Sequence, residues 1–226
     1  MNVADAVRQR KSIRAFRPDP IAIEDLRDLL TTAQRSPSGC NLQPWKIIAV
    51  AGDARASVLA MAQEAIRAGD AFQRPIDPPF VPDFEANDPV YFQRFQRMGE
   101  LTTGAAGVQR DDRESRMALT MRNFEFFGAP VGLFIVVNRT MGEAQWGHTG
   151  MYLQTIALLA VERGWGTCMQ EAWGMLRPEL HAHLGLKENE LVWCAMAIGH
   201  PDLSAPVNQF TSERAPLDEI VDFRGF

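Results

Sequence analysis

The sequence predicts an α+β fold with a mixed sheet covered on both faces. Three observations predict it. Helical and strand periodicities interleave along the chain without alternating strictly. The segments VGLFIVV (131–137) and LVWCAMAIG (191–199) are apolar at nearly every position, the pattern of strands with both faces buried. GMYLQTIALLAVERG (150–164) is apolar on nearly every side, which predicts a central, fully buried helix. With 226 residues, 46% of them apolar and 23% charged, the chain can bury one large core or two small ones.

Residues 2–11 place Val3, Ala6 and Val7 at helical spacing, and 24–35 place Leu26, Leu29, Leu30 and Ala33 on one helical face. Pro37, Ser38 and Gly39 stop that helix. KIIAV (46–50) reads as a short buried strand, and Asp53 as the N-cap of a helix carrying Val58, Met61, Ala62 and Ala65. From 69 to 89 five prolines interrupt any regular element, and aromatics continue to Phe95. A segment of this kind is either a functional lid or an ordered insertion packed on the surface. Residues 111–128 read as a helix with Asp111 and Asp112 at its favourable end. Gly164 suits a helix C-cap, WGTCM opens a strand, and Pro178 suits the first turn of a short helix reaching about Leu184. No repeat or low-complexity tract is present, so one domain, 1–226, is expected.

Twenty-three basic against 28 acidic residues give a net charge of -5, which argues against a nucleic-acid partner. The N-terminus has no signal-like apolar region, and the longest near-apolar run is shorter than the roughly 20 residues a membrane helix needs. The three cysteines, Cys40, Cys168 and Cys194, are widely spaced and form no CxxC, which fits a reducing cytoplasm without disulfide or zinc. There is no P-loop, HExxH or GxSxG. Gly164 and Gly166 supply only the first half of GxGxxG, whose sixth position here is Met169. His181 and His183 diverge on a helix, so no metal is expected. An enzyme built this way draws its reactivity from a bound cofactor.

Two stretches carry candidate chemistry. RKSIRAF (10–16) gathers Arg10, Lys11, Ser12 and Arg14 where a helix ends and an extended stretch begins. These residues either converge on a multiply charged anion or merely offset the helix dipole. PSGCNLQPW (37–45) sets small residues that admit close backbone approach beside Asn41 and Gln43, whose amides suit a heterocycle edge or a polyol.

Together with FFGAP (126–130), GWGTCMQEAW (164–173), GHPD (199–202) and SERAPLDE (212–219), these stretches resemble the FMN-dependent nitroreductase family, in the family's order and across nearly the whole chain. The resemblance implies a three-layer α/β/α arrangement around a central, mainly antiparallel mixed sheet in an intertwined homodimer. It implies that Arg10, Ser12 and Arg214 hold the FMN phosphate with Lys11 nearby, and that Arg14 approaches the N1–O2 side of the ring, where positive charge favours hydride acceptance at N5. Pro37, Ser38 and Gly39 would reach the flavin of the other subunit, with Asn41 and Gln43 shaping that contact. Glu171 and Ala172 would set backbone groups against N5 and O4, and Asn123 would serve the pyrimidine edge. Many relatives have a second basic residue where Ser212 stands, so the phosphate would rely more on Arg10 and Lys11. His148 would either line the pocket or pack beside the buried helix. Phe80, Phe92 and Phe124 are further pocket candidates. Residues 67–111 would form a variable insertion over the substrate pocket, and 204–226 an arm wrapping the partner.

The activity implied is ping-pong reduction of nitroaromatic, and also quinone, acceptors by NADH or NADPH, with the flavin as reacting group and no catalytic side chain. Two other readings remain open on the same residues: flavin fragmentation or reductive dehalogenation on this scaffold, and flavin binding without turnover.

Overall fold

The structure is a computed structural model that describes residues 1–79, 83, 84, 86, 88–109 and 111–226. Its centre is a four-stranded sheet of β1 (Lys46–Ala51), β2 (Val131–Asn138), β3 (Gly166–Gln170) and β4 (Glu190–Gly199), in the order β1-β2-β4-β3. All three pairings are antiparallel. Among the described residues the parallel component is the bridge from Ser12 to Thr167 at the β3 edge.

The continuous apolar runs follow from covering both faces. From β2, Leu133 and Ile135 pack with α2 (Ile23–Ala33) and α6 (Gly142–Glu162), through Leu26, Leu29, Tyr152 and Ile156. Phe134 and Val136 point the other way, towards Val58 and Ala62 of α3 (Gly52–Ala68), Leu180 of α7 (Arg177–His183) and Trp173. Two cores therefore sandwich one sheet, and full burial of each such side chain contributes about 1.5–3 kcal/mol. Ile135 faces Cys194 while Val136 faces Val192, so Trp193 is the extra residue of a bulge.

Several expectations need correcting. Asp53 lies inside the first turn of α3; the N-cap is Ala51, whose side chain makes no cap bond. The aromatic stretch after the prolines is a 17-residue helix, α4 (Pro89–Ala105), started by Asp88, whose carboxylate accepts from Val90 N at 2.9 Å. The helix expected over 111–128 is α5 (Arg113–Met121) followed by tight turns through Gly128, with Phe126 and Phe127 at φ of 53° and 54°. Their buried rings hold that strained backbone in place. α6 starts eight residues before the expected Gly150 and is not enclosed all round, since Met151 is 48% exposed. Among the described residues no helix is long and apolar enough to cross a membrane, and no cluster of potential metal ligands occurs.

Candidate active site

RKSIRAF begins where α1 (Val3–Gln9) ends. Arg10 is its C-cap and donates its N–H to Ala6 O at 2.9 Å. The chain then runs extended along β3: Ser12 bridges Thr167, and Ile13 N donates to Thr167 O at 2.9 Å. Gly166 makes room for this, because a Cβ there would stand 2.5 Å from Ile13 Cγ1.

Asn208, a residue with no motif around it, fastens the same stretch from the C-terminal side. It is 1% exposed. Its Oδ1 accepts from Arg14 N at 2.7 Å, and its Nδ2 donates to Ala15 O and Asp202 O, both at 2.8 Å. The Lys11 ammonium donates to the Asn208 carbonyl. Lys11 is thereby a strut between the two segments.

Six residues beyond Asn208 stands Arg214, close enough to Arg10 for the two cations to repel. Burial and then Arg214 push the Arg10 guanidinium below its ordinary value. Among the described residues no carboxylate pairs with Arg10. Cys168 does not neutralise the group either, since burial pushes its thiol up to about 11 despite Arg14, Ser12 and Arg10 nearby. Ser212, standing where a second cation was expected, orients Arg214: its Oγ accepts from Arg214 Nη1 at 2.8 Å. Glu213 and Glu219 pair with Arg97 and Arg94 of α4 at 2.7 and 3.1 Å, which lays the 212–220 segment along that helix.

Arg14 and Asn123 line one cavity of about 640 Å³ between α4 and α5, with Phe95 and Phe127 among its walls. The Asn123 side-chain amide donates to Thr120 O at 2.9 Å, and the Asn123 backbone carbonyl accepts from Gln170 Nε2 at 2.7 Å. Gln170 is buried at the end of β3 and its Oε1 has no partner. It leads directly into Glu171 and Ala172, which open the 3-10 segment Glu171–Leu176.

The second stretch stands apart. Gly39 N donates to His148 Nδ1 at 3.3 Å, and a Cβ at Gly39 would lie 2.9 Å from the His148 ring. Ser38 Oγ accepts from Gln43 N at 2.9 Å, and Gln43 Nε2 donates to Asn41 O at 3.1 Å. Cys40, Asn41 and Gln43 all have φ near +50°, a conformation costly for side-chain-bearing residues. No described contact joins Pro37, Ser38, Gly39, Asn41, Gln43 or His148 to the Arg10–Arg14 group.

Two pocket candidates lie outside the lining of this cavity. Phe124 is 3% exposed and meets Trp173 edge-on at 5.4 Å, so it belongs to the core. Phe92 packs on Phe84 at 5.4 Å and is not in the cavity wall. Phe80 lies outside the described residues. Phe95 and Phe127 occupy the wall instead, together with Arg113 and Arg116. Asn208, Gln170 and Arg113 were missed by sequence reasoning; a buried amide in an otherwise apolar strand was the one available signal, at Gln170.

Comparison with known proteins places the chain by its sequence and fold. The chain is 35% identical over 221 residues to the nitrobenzene nitroreductase of Ectopseudomonas oleovorans, covering 98% of this chain and 96% of that protein. It is 31% identical over 222 residues to the 4-nitrobenzoate reductase of Pseudomonas putida, covering 97% and 94%. The crystal structure of the FMN and NADPH-dependent nitroreductase NfnB from sphigopyxis sp. strain HMH superposes with a TM-score of 0.95 at 37% identity, covering both chains completely. The family model for the Nitroreductase family matches residues 7–200, and with the fold and the full-length likeness in agreement, the chain belongs to the nitroreductase family.

Proposed function

We propose that the chain is an FMN-dependent oxidoreductase that draws on NADH or NADPH and reduces nitroaromatic acceptors. The observation that carries this is the meeting of Arg10 and Arg214, two adjacent cations from opposite ends of the chain with no described carboxylate between them. Such a pair is electrostatically unfavourable alone and suits a dianionic phosphate. The relatives' names support the same reading.

The donor set fits FMN. Arg10, Ser12 and Arg214 would hold the phosphate, with Lys11 bracing the clamp through Asn208. Arg14 and Asn123, which share one cavity, would face the pyrimidine edge, and the backbone of Glu171 and Ala172 the central ring. When bound, FMN supplies a two-electron carrier that takes hydride from the nicotinamide and passes it to the acceptor. Arg14 keeps a positive charge beside the ring, which favours electron density arriving there. Phe95 and Phe127 give the cavity apolar walls. No side chain is assigned as acid or base; protons come from solvent.

The second stretch fits a homodimer, with Pro37, Ser38, Gly39, Asn41 and Gln43 serving the other subunit's site. Its separation from this chain's own arginines supports that reading, as do the exposed apolar residues Val3, Val7, Met151, Leu217, Ile220 and Phe223. α4, inside the 67–111 insertion, lines the cavity, which supports the role of a cover for that insertion. A cytoplasmic setting is proposed from the three free cysteines.

Steady-state kinetics with nitrobenzoate, dinitroaniline and quinone acceptors and each nicotinamide test the function. The expected result is acceptor-dependent NAD(P)H oxidation with parallel double-reciprocal lines. A yellow protein that oxidises neither nicotinamide would be a flavin carrier, and steady loss of excess FMN in air would mark flavin fragmentation. Arg14→Ala is expected to change the flavin's reduction rate and potential; unaltered values would remove Arg14 from the ring.

A further inference from the structure

The flavin reading leaves one buried polar side chain without a task. Gln170 closes β3 at 1% exposure, opposite Ala195 of β4. Packing alone favours an apolar residue there, since a methionine of similar length fills the same space. The amide also leaves its Oε1 buried with no partner among the described residues, which is unfavourable. What the amide adds is one bond. Its Nε2 donates to the Asn123 backbone carbonyl at 2.7 Å, across 47 residues of chain.

The place of that bond gives it a meaning. Gln170 is the N-cap of the segment Glu171–Leu176, so its backbone runs straight into Glu171 and Ala172. Three residues upstream, Thr167 holds the RKSIRAF stretch, through Ile13 N at 2.9 Å and the bridge to Ser12. The five residues of β3 thus carry three segments assigned above to the cofactor. RKSIRAF is held by backbone pairing, Glu171 and Ala172 by chain continuity, and Asn123 by the Gln170 side chain. The Asn123 segment, Arg122–Gly128, is also held by apolar contact, Phe124 meeting Trp173 at 5.4 Å. Apolar contact is non-directional, whereas a hydrogen bond fixes a length and an angle.

We propose that Gln170 is a positioning residue of the flavin site, whose amide keeps Asn123, at the pyrimidine edge, in register with the Glu171–Ala172 backbone at the central ring. The inference rests on the flavin reading. It gives Gln170 no contact with the flavin; the amide acts through Asn123.

The test uses the full-length FMN-loaded protein and two variants. Gln170→Met keeps the length and removes the donor. It is expected to raise the FMN dissociation constant by no more than about tenfold, as loss of one neutral hydrogen bond gives. The visible circular dichroism and midpoint potential of the bound flavin should both move away from wild type. In the apoprotein, amide hydrogen exchange over residues 122–128 should become roughly two- to tenfold faster. Gln170→Glu supplies a readout that a merely structural role would not move. Its carboxyl can donate to Asn123 O only when protonated, a form that burial favours. The dichroism of its oxidised flavin should therefore be near wild type at pH 5 and turn towards that of Gln170→Met by pH 9, with wild type constant over the same range. Should Gln170→Met not fold, this titration decides alone. Wild-type dichroism and potential in Gln170→Met, or a Gln170→Glu spectrum indifferent to pH, would reduce the amide to a tie within the fold and overturn the proposal. So would unchanged exchange over 122–128. A wild-type protein that takes up no FMN, beside faster exchange in Gln170→Met, would sink the flavin reading and the role together and leave only the tie.

Discussion

At the scale of single residues, the site is held together by a side chain that no motif announces. Asn208 bonds one N–H and two carbonyls, and it joins the RKSIRAF stretch to the start of the C-terminal arm. Asn208→Ala is expected to cost about 1–3 kcal/mol, chiefly through the Arg14 N–H left without its acceptor. It should also weaken FMN retention, because the stretch carrying Arg14 loses its tie to the C-terminal arm. Urea unfolding of the apoprotein and FMN titration of the folded variant separate the two effects. RKSIRAF itself was visible in the sequence as a local excess of charge. The division of labour within it was not, because the fate of the Lys11 ammonium depends on a carbonyl 197 residues away.

Cys168 gives a second expectation at this scale. Its folded value of about 11 lies above the ordinary 9.0, so between those values the unfolded chain has lost a proton that the folded chain keeps. Stability should therefore fall as pH rises through that window and be indifferent to pH just below it. Cys168→Ala should flatten the fall in part, because Cys194 is also pushed up by burial. Thermal unfolding of both proteins from pH 8 to 11 measures the difference, and identical slopes would exclude the contribution.

At the scale of elements, legibility followed burial. β2, β4 and α2 declared themselves because their apolar residues meet a core, and a core-facing pattern has a period. α4 did not, because none of its residues is buried; its partners are α5 across the cavity and the exposed arm. The readable cue was the pair Asp88 and Pro89, a cap followed by proline at the first turn. The seating of Ile13 against Gly166 ties an element to the site. Gly166→Ala is expected to destabilise by about 1–3 kcal/mol through overpacking and to loosen the Ser12–Thr167 bridge. Faster FMN loss from the folded variant would register the second effect, and unchanged retention would show that the bridge does not position the clamp.

At the scale of the whole molecule, apolar surface remains after the chain has folded. Leu217, Ile220 and Phe223 stand exposed along an arm whose described contacts with α4 are surface ion pairs, which contribute little. The proposed dimer covers this surface. Deleting residues 217–226 is expected to shift sedimentation from dimer towards monomer and to lower thermal stability in a concentration-dependent way. A full-length chain that sediments as a monomer at micromolar concentration would remove the dimer from the account.

By itself the sequence determined the layers, the strands that fill the centre, the family resemblance and the cations of the proposed clamp, since apolar period and charge are properties of short stretches. Only the tertiary structure decided that Arg10 feels the charge of Arg214, that Asn208 ties Lys11 and Arg14 to the C-terminal side, and that Arg14 and Asn123 share one cavity. Those relations join residues that the chain separates by up to two hundred positions. Burial and hydrogen-bond satisfaction select them, and neither quantity exists until the sheet has closed between its helices.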